Sequence, residues 1–368
     1  MTTDALAPDA PKTPDALVGR LFEASIGMLD VLSVYLGDRL GLYHALREAG
    51  PSTAAGLASQ AGIDRRYARE WLEQQAATGI LEVADAAAPE EDRVYHLPEA
   101  HVDPLLNLDS PYSIAPLGRS VVACAKAMPA LLEAYRTGQG VDWSAYGSDM
   151  IEAQGDFNRP WLVNSFGSEM LPAIPSIHRR LVADPPARVA DVACGVGWAG
   201  ISIARAYPGV VVDGFDRDAS SIALATENAR QAGVADRVTF CTRDAADPAA
   251  AGQYDLAVIV EAVHDLSRPV EVLGAVRAML RPGGTLLIAD EKTEDAFTAP
   301  AGELERMYYG YSILTCLPAA MNDRPTAATG TVMRPDTLRR YASEAGFSGF
   351  ERLDEPSTDS LRFYRLSA

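Results

Sequence analysis

Apolar residues recur at helical spacing from Leu17 to Leu46, through Leu21, Ile26, Leu29, Leu32, Leu36 and Leu40, and predict a long helical stretch. Ser52 is placed to cap a short helix after it, and Gly62 and Asp64 supply a turn and a second cap. The helix predicted from Arg65 to Thr78 carries Ala68, Trp71, Leu72, Gln75 and Ala76 on its inward face. Ile80–Val83 and Arg93–Leu97 then read as two strands joined by an acidic turn. Two packed helices followed by a two-stranded wing predict a winged-helix domain over 17–104, behind a polar, proline-containing tail at 1–16 that is expected to be disordered.

Residues 105–185 mix helix and loop, with Pro160, Pro172, Pro175, Pro185 and Pro186 expected to break the pattern, and are read as a helical connector that roofs the site. From Arg188 the rhythm changes. Strands are predicted at Val189–Val192, Val210–Phe215, Val238–Cys241, Tyr254–Glu261 and Gly284–Asp290. Helices alternate with them over Gly200–Tyr207, Ser220–Ala232 and Val270–Leu280. Apolar strands alternating with helices mean a parallel sheet covered on both faces. The chain ends differently, with a helix over Pro335–Ala345 and strands near Phe350–Leu353 and Leu361–Leu366. The expected fold is therefore α/β: a Rossmann-like, doubly wound sheet over 186–368 with a terminal antiparallel hairpin, preceded by the α-helical winged-helix domain.

Charge narrows the partners. The 368 residues carry a formal net charge of −18, and nucleic-acid binding depends on neutralising phosphates with Lys and Arg. Residues 1–100 hold 8 Lys/Arg against 16 Asp/Glu, and Asp64, Glu70 and Glu73 offset Arg65, Arg66 and Arg69 on the would-be recognition helix. We therefore expect no nucleic-acid partner. No apolar run approaches the ~18–20 residues that cross a bilayer, and no secretory pattern opens the chain, so no membrane and a cytoplasmic location are expected. Cys124, Cys194, Cys241 and Cys316 are scattered without metal-ligand spacing. No metal site is expected, and Cys194 is read as a packing residue.

The first strand of the sheet runs into Asp191-Val-Ala-Cys-Gly195-Val-Gly197-Trp-Ala-Gly200. Glycines there let the backbone turn sharply and approach a ligand, at the strand ends where open sheets bind ligands. The second strand ends at Asp216, a carboxylate suited to ribose hydroxyls, and Asp244-Ala245 follows the third, placed for an adenine edge. The glycine pattern alone also fits a dinucleotide site. Asp191 favours the cationic end of S-adenosylmethionine over a pyrophosphate.

On these residues the chain resembles the class I S-adenosylmethionine-dependent methyltransferases. Asp191, Gly195 and Gly197 match the family's acidic-glycine motif, Asp216 the ribose acid, Asp244 the adenine contact, and Leu280-Arg-Pro-Gly-Gly-Thr the turn before strand five. The front domain resembles the dimerisation domain of bacterial small-molecule O-methyltransferases. Glu152 to Pro160 is similar to a segment that covers the cofactor in some members. Ala193 departs from the pattern, where a further glycine is common. The resemblance implies S-adenosylmethionine as cofactor, S-adenosylhomocysteine as product, cofactor contacts that include Arg217 and Glu261, and a homodimer.

His264, in Glu261-Ala-Val-His264-Asp265-Leu, follows strand four on the ligand edge and is the candidate catalytic base. The same segment is similar to one that carries the base in many O-methyltransferases, although some relatives keep the histidine only to pack beside the cofactor. Asp265 is a weaker candidate to orient it. Glu303 to Leu317 reads as a helix on which Met307, Tyr311 and Thr315 share a face flanked by Tyr308. With Phe157, Asn158 and Trp161 these are the candidate acceptor-binding residues. The expected reaction is methyl transfer to oxygen of a small, partly apolar secondary metabolite. The alternative keeps fold and cofactor but performs decarboxylation, hydroxylation or a pericyclic step.

Overall fold

A computed structural model describes residues 12–247 and 252–368; most of the expected N-terminal tail lies outside them. The described residues divide into two compact units, one over 12–123 and 148–160, the other over 124–147 and from 161 onward.

In the first unit, helix α1 (Pro14–Arg39) starts within the stretch expected to be a tail, because Thr13 caps it through its side chain and Pro14 occupies the first turn. Helices α2 (Leu42–Ala49), α3 (Ala54–Ala61) and α4 (Arg65–Ala77) follow, then strands β1 (Glu82–Val83) and β2 (Tyr95–His96), and helix α5 (Glu99–Leu106). Asp64 caps α4 as its position predicts, but α3 is capped by Thr53. Ser52 instead forms a bridge to Tyr95, extending the wing. Ala68, Trp71, Leu72 and Gln75 are buried, whereas Ala76 is only half-buried. A Cβ on Gly37 would lie 2.4 Å from the Tyr43 ring and 2.7 Å from Trp71, so the lack of a side chain lets α1 cross this core. Leu17, Val18, Leu21, Phe22, Ile26 and Leu29 on α1 remain exposed.

Of the prolines expected to break the connector, Pro172, Pro185 and Pro186 lie outside helices and Pro175 opens one, whereas Pro160 does not interrupt its helix. Helix α6 (Pro116–Thr137) runs through Pro129, and α7 (Ser148–Trp161) contains Pro160 before the chain widens into a π-helix at Leu162–Met170.

The second unit is built on a seven-stranded sheet. After α8 (Pro175–Leu181) come β3 (Arg188–Val192), α9 (Trp198–Ala206), β4 (Val211–Asp216), α10 (Ala219–Gln231), β5 (Val238–Thr242) and β6 (Tyr254–Val260). Then follow α11 (Pro269–Met279), β7 (Leu280–Glu291), α12 (Glu303–Tyr311), α13 (Leu317–Ala320), α14 (Pro335–Glu344), β8 (Gly349–Arg352) and β9 (Leu361–Ser367). The order is β5-β4-β3-β6-β7-β9-β8, with β3 to β7 parallel and β9 antiparallel to both neighbours. One strand therefore runs against the other six, as the terminal hairpin requires. Ala190, Val192, Ala257, Ile259, Leu286 and Ile288 belong to one buried cluster with Leu273, Val276 and Leu338 of the covering helices. Each large apolar side chain there contributes ~1.5–3 kcal/mol relative to exposure. Strand order reverses between β3 and β6, which opens a crevice at their carboxyl ends.

Candidate active site

The loop after β3 turns through three alternate left-handed residues: Ala193 at φ 55°, Gly195 at 51° and Gly197 at 85°. Gly195 has open space where a side chain would stand, as expected of a backbone that faces a ligand, whereas a Cβ on Gly197 would lie 2.4 Å from Phe240. Ala193 holds this conformation with a Cβ, at a steric cost glycine would avoid. Behind the loop, Gly167 of the π-helix donates its N–H to Ser202 Oγ at 3.0 Å and fixes α9.

Two carboxylates brace the loop. Asp191 is buried, and its Oδ2 accepts the Gly200 N–H at 2.8 Å; burial raises its pKa to about 7, with Asp216 adding to the effect. Asp216 accepts the Gly195 N–H at 2.9 Å on Oδ2 and the Asp218 N–H at 2.9 Å on Oδ1, and burial raises its pKa. Both oxygens keep a lone pair for a ligand hydroxyl. Asp244 accepts the Ala246 N–H at 2.8 Å and pairs with Arg268 at 3.1 Å; Ala245 packs against the core. Arg217 is paired with Asp323 on an exposed surface. Glu261 follows directly on β6 with a left-handed backbone, φ 47°.

His264 lies in a single 3-10 turn, Val263–Asp265, just past β6, and is buried. Its Nδ1 donates to Asp290 Oδ1 at 2.8 Å and faces Glu291 Oε2 at 2.9 Å; its Nε2 lies 3.4 Å from Asp265 Oδ1. Burial would lower its pKa, but Glu291, Asp265 and Asp290 outweigh that and raise it well above the ordinary imidazole value. Asp290 Oδ2, Glu291 Oε2 and Asp265 Oδ1 are enclosed atoms that accept no hydrogen bond.

Cys316 reaches the same spot from the π-helical turn Ser312–Cys316, and its donor atom lies with those of His264 and Asp265 within 4.8 Å of one another. His264, Asp290 and Glu291 form a second such set. Spacing along the chain showed no metal-ligand cluster; the fold assembles these from segments up to 52 residues apart. Asp290 and Glu291 were also missed, although they end an apolar strand at the ligand edge, the positional signal that singled out Asp191 and Asp216.

The other expected residues are less uniform. Tyr308 is buried and donates to the Ser360 carbonyl at 2.6 Å, so its hydroxyl proton is already engaged. Thr315 is buried with Oγ1 3.3 Å from Cys124 Sγ, a core contact. The π turn after Tyr311 also ends the regular spacing that put Met307, Tyr311 and Thr315 on one face. Met307 and Tyr311 are half-buried, and Trp161 packs edge-on against Phe166 and Phe363. Phe157, which is exposed, and Asn158 belong to the other unit. A cavity of about 210 Å³ beside Arg180, Asp255 and Gly283 lies at the opposite, amino-terminal ends of β6 and β7. The arginines of the winged helix are paired: Arg65 with Glu91, Arg66 with Glu70, and Arg69 with Glu90 at 2.5 Å.

Comparison with known proteins agrees with this architecture. Residues 183–344 match a family described as a methyltransferase domain, and 28–106 match the Rv2258c-like winged HTH domain. A methyltransferase, GfsG, of Streptomyces halstedii is 32% identical over 115 residues, 31% of this chain and 41% of that protein. The matched segments span 24% to 43% of the first three curated relatives' own lengths. Among solved structures, PigF with SAH superposes with a TM-score of 0.70 at 19% identity, covering 97% of this chain and all of that one. Human N-acetylserotonin methyltransferase in complex with SAM gives 0.70 at 18% identity, covering 97% and 99%. No helix among the described residues is long and apolar enough to cross a membrane.

Proposed function

We propose, from the premise that this chain belongs to the class I S-adenosylmethionine-dependent methyltransferases that carry an N-terminal winged-helix domain, that it transfers methyl to an oxygen of a small, partly apolar acceptor with His264 as base. The observation that carries the reading is the orientation of His264. Its Nδ1 is engaged by Asp290, which leaves Nε2 as the nitrogen able to take a proton.

S-adenosylmethionine supplies a methyl on sulfonium, which needs alignment and an activated nucleophile rather than further activation of its own. Gly195 and Gly197 would let the backbone approach it, Asp216 would accept hydrogen bonds from the ribose hydroxyls, Asp191 would attract the ammonium end, and Asp244 with Ala245 would hold the adenine. His264 Nε2 would take the acceptor's hydroxyl proton, and the bound cofactor would supply the methyl group and leave as the thioether. The products are a methyl ether, S-adenosylhomocysteine and a protonated histidine. The three carboxylates stabilise that imidazolium, which strengthens the base but lowers the neutral fraction near pH 7. Turnover is therefore expected to climb as pH rises above neutrality.

The exposed apolar residues of α1 support a homodimer. Leu21→Glu with Phe22→Glu should turn the dimer into a monomer in light scattering; an unchanged mass would remove α1 from the interface. The activity is tested with labelled methyl donor and a panel of phenols and hydroxylated polycycles. Label is expected in an O-methyl product; product formed without label points to the decarboxylating, hydroxylating or pericyclic alternative.

A further inference from the structure

We propose that His264 Nε2, Asp265 Oδ1 and Cys316 Sγ form a binding site for a divalent transition-metal cation, with Zn²⁺ the best match to the donors. Nitrogen, oxygen and sulfur together suit a borderline-soft ion rather than Mg²⁺ or Ca²⁺. The donor atoms lie within 4.8 Å of one another, and Nε2 stands 3.4 Å from Oδ1. Adjacent ligands of a tetrahedral zinc ion are about 3.3 Å apart for bonds of ~2.0–2.1 Å. The alternative set, Nδ1 with Asp290 and Glu291, has separations of 2.8 and 2.9 Å, which are hydrogen-bond distances.

Two further observations point to a ligand at this place. Asp265 Oδ1 is an enclosed oxygen with no hydrogen-bond partner, an arrangement that costs free energy unless something binds it. His264 meanwhile donates Nδ1–H to Asp290, the outer contact that orients histidines at metals and raises their ligand strength. The π turn that carries Cys316 to the histidine is a distortion found most often at functional sites. Asp265 and a Cys316 thiolate balance the ion's two charges, and three protein ligands leave a fourth position open.

The effect on turnover rests on the reading of His264 as base, although the site's existence does not. A cation on Nε2 takes the lone pair that would receive the acceptor's proton, so bound metal and base-dependent transfer exclude one another. The test uses the full chain without a histidine tag, stripped with chelator and titrated with Co²⁺. A near-ultraviolet cobalt–thiolate absorption saturating at one ion per chain is expected. It should vanish in Cys316→Ser, shift or weaken at least tenfold in affinity in Asp265→Asn, and be displaced by Zn²⁺. Binding of S-adenosylmethionine by each variant checks that it folds. An absent band, or one that persists in Cys316→Ser, overturns the site. Zn²⁺ is also expected to slow methyl transfer at least tenfold, an inhibition lost in Cys316→Ser relative to that variant's own metal-free rate. A loaded enzyme that turns over undiminished would support the site and overturn His264 as the base.

Discussion

The crevice between β3 and β6 has two sides that treat buried carboxylates in opposite ways. On the β3–β4 side, Asp191 and Asp216 give their oxygens to backbone N–H groups of the loop they brace. On the β6–β7 side, Asp265, Asp290 and Glu291 surround one histidine and keep enclosed oxygens without hydrogen bonds. The first arrangement is a finished scaffold, whose oxygens hold a backbone in shape for a ligand. The second gathers three carboxylates around a group that must change its protonation state, as reactive sites do. Strained non-glycine backbone, at Ala193 and Glu261, closes the strand on each side.

The comparison breaks most sharply at His264. If the β6–β7 side performs the chemistry and the β3–β4 side only holds the cofactor, His264→Ala should lower kcat by ~10²–10⁴-fold, the usual share of a general base. Its affinity for S-adenosylmethionine, measured by calorimetry, should stay within about twofold. A loss of affinity equal to the loss of rate would merge the two sides into one cofactor site. Gly197→Ala makes the reverse cut. Its Cβ would meet Phe240 at 2.4 Å on a left-handed backbone, a strain of ~1–3 kcal/mol before packing is counted. Cofactor affinity is expected to fall at least tenfold and the melting temperature with it. Gly195→Ala, with open space at the same turn, should cost less stability.

These two sides also differed in how well the sequence displayed them. The β3–β4 side is local: Asp191 and the glycines lie within ten residues, and Asp216 follows one helix later, so the spacing carried the site. The β6–β7 side is assembled from β6, β7 and a turn near Cys316, and only His264 stood out, because it follows strand four on the ligand edge. Asp290 and Glu291 read as the end of a strand, and Cys316 as a scattered thiol. The sheet and its hairpin were legible because strand burial is a strong periodic signal. Of the five prolines expected to break the connector, four lie at turns, loops or a helix start, and Pro160 is carried in the last turn of α7. Helical spacing gave the aromatic stripe but not the burial of Tyr308 and Thr315, which depends on what packs against that face.

A smaller effect sharpens the β3–β4 side. Asp191→Asn keeps an acceptor for the Gly200 N–H but removes a buried ionisable group. Because the folded-state pKa, at about 7, lies above the ~3.9 of an unfolded aspartate, ionised Asp191 destabilises the empty fold. That cost is absent below pH ~4, grows as pH rises to about 7, and is constant above. The empty variant should therefore melt at the same temperature as the parent at acid pH and at a higher one at pH 8. With saturating S-adenosylmethionine the order should reverse, since a charge-assisted contact of ~1.5–3 kcal/mol to the ammonium is lost. A variant more stable under both conditions would make Asp191 a brace for the loop and nothing more.

The smallest expected change asks whether the strain on that side serves the ligand. Ala193 holds φ 55° at a position where the family pattern commonly has glycine. Ala193→Gly removes the steric cost of a left-handed Cβ, ~1–2 kcal/mol, but returns part of it through the greater freedom of glycine in the unfolded chain, ~0.4–1 kcal/mol. The net expectation is a gain of ~0.5–1 kcal/mol, read as a rise of ~1–4 °C in melting temperature for a unit of this size, with cofactor affinity unchanged. If stability rises and affinity falls, the alanine is fixing the loop in its binding shape, and the strain belongs to function. If neither moves, the loop absorbs the Cβ without strain, and the parallel drawn between Ala193 and Glu261 reduces to a shared backbone angle.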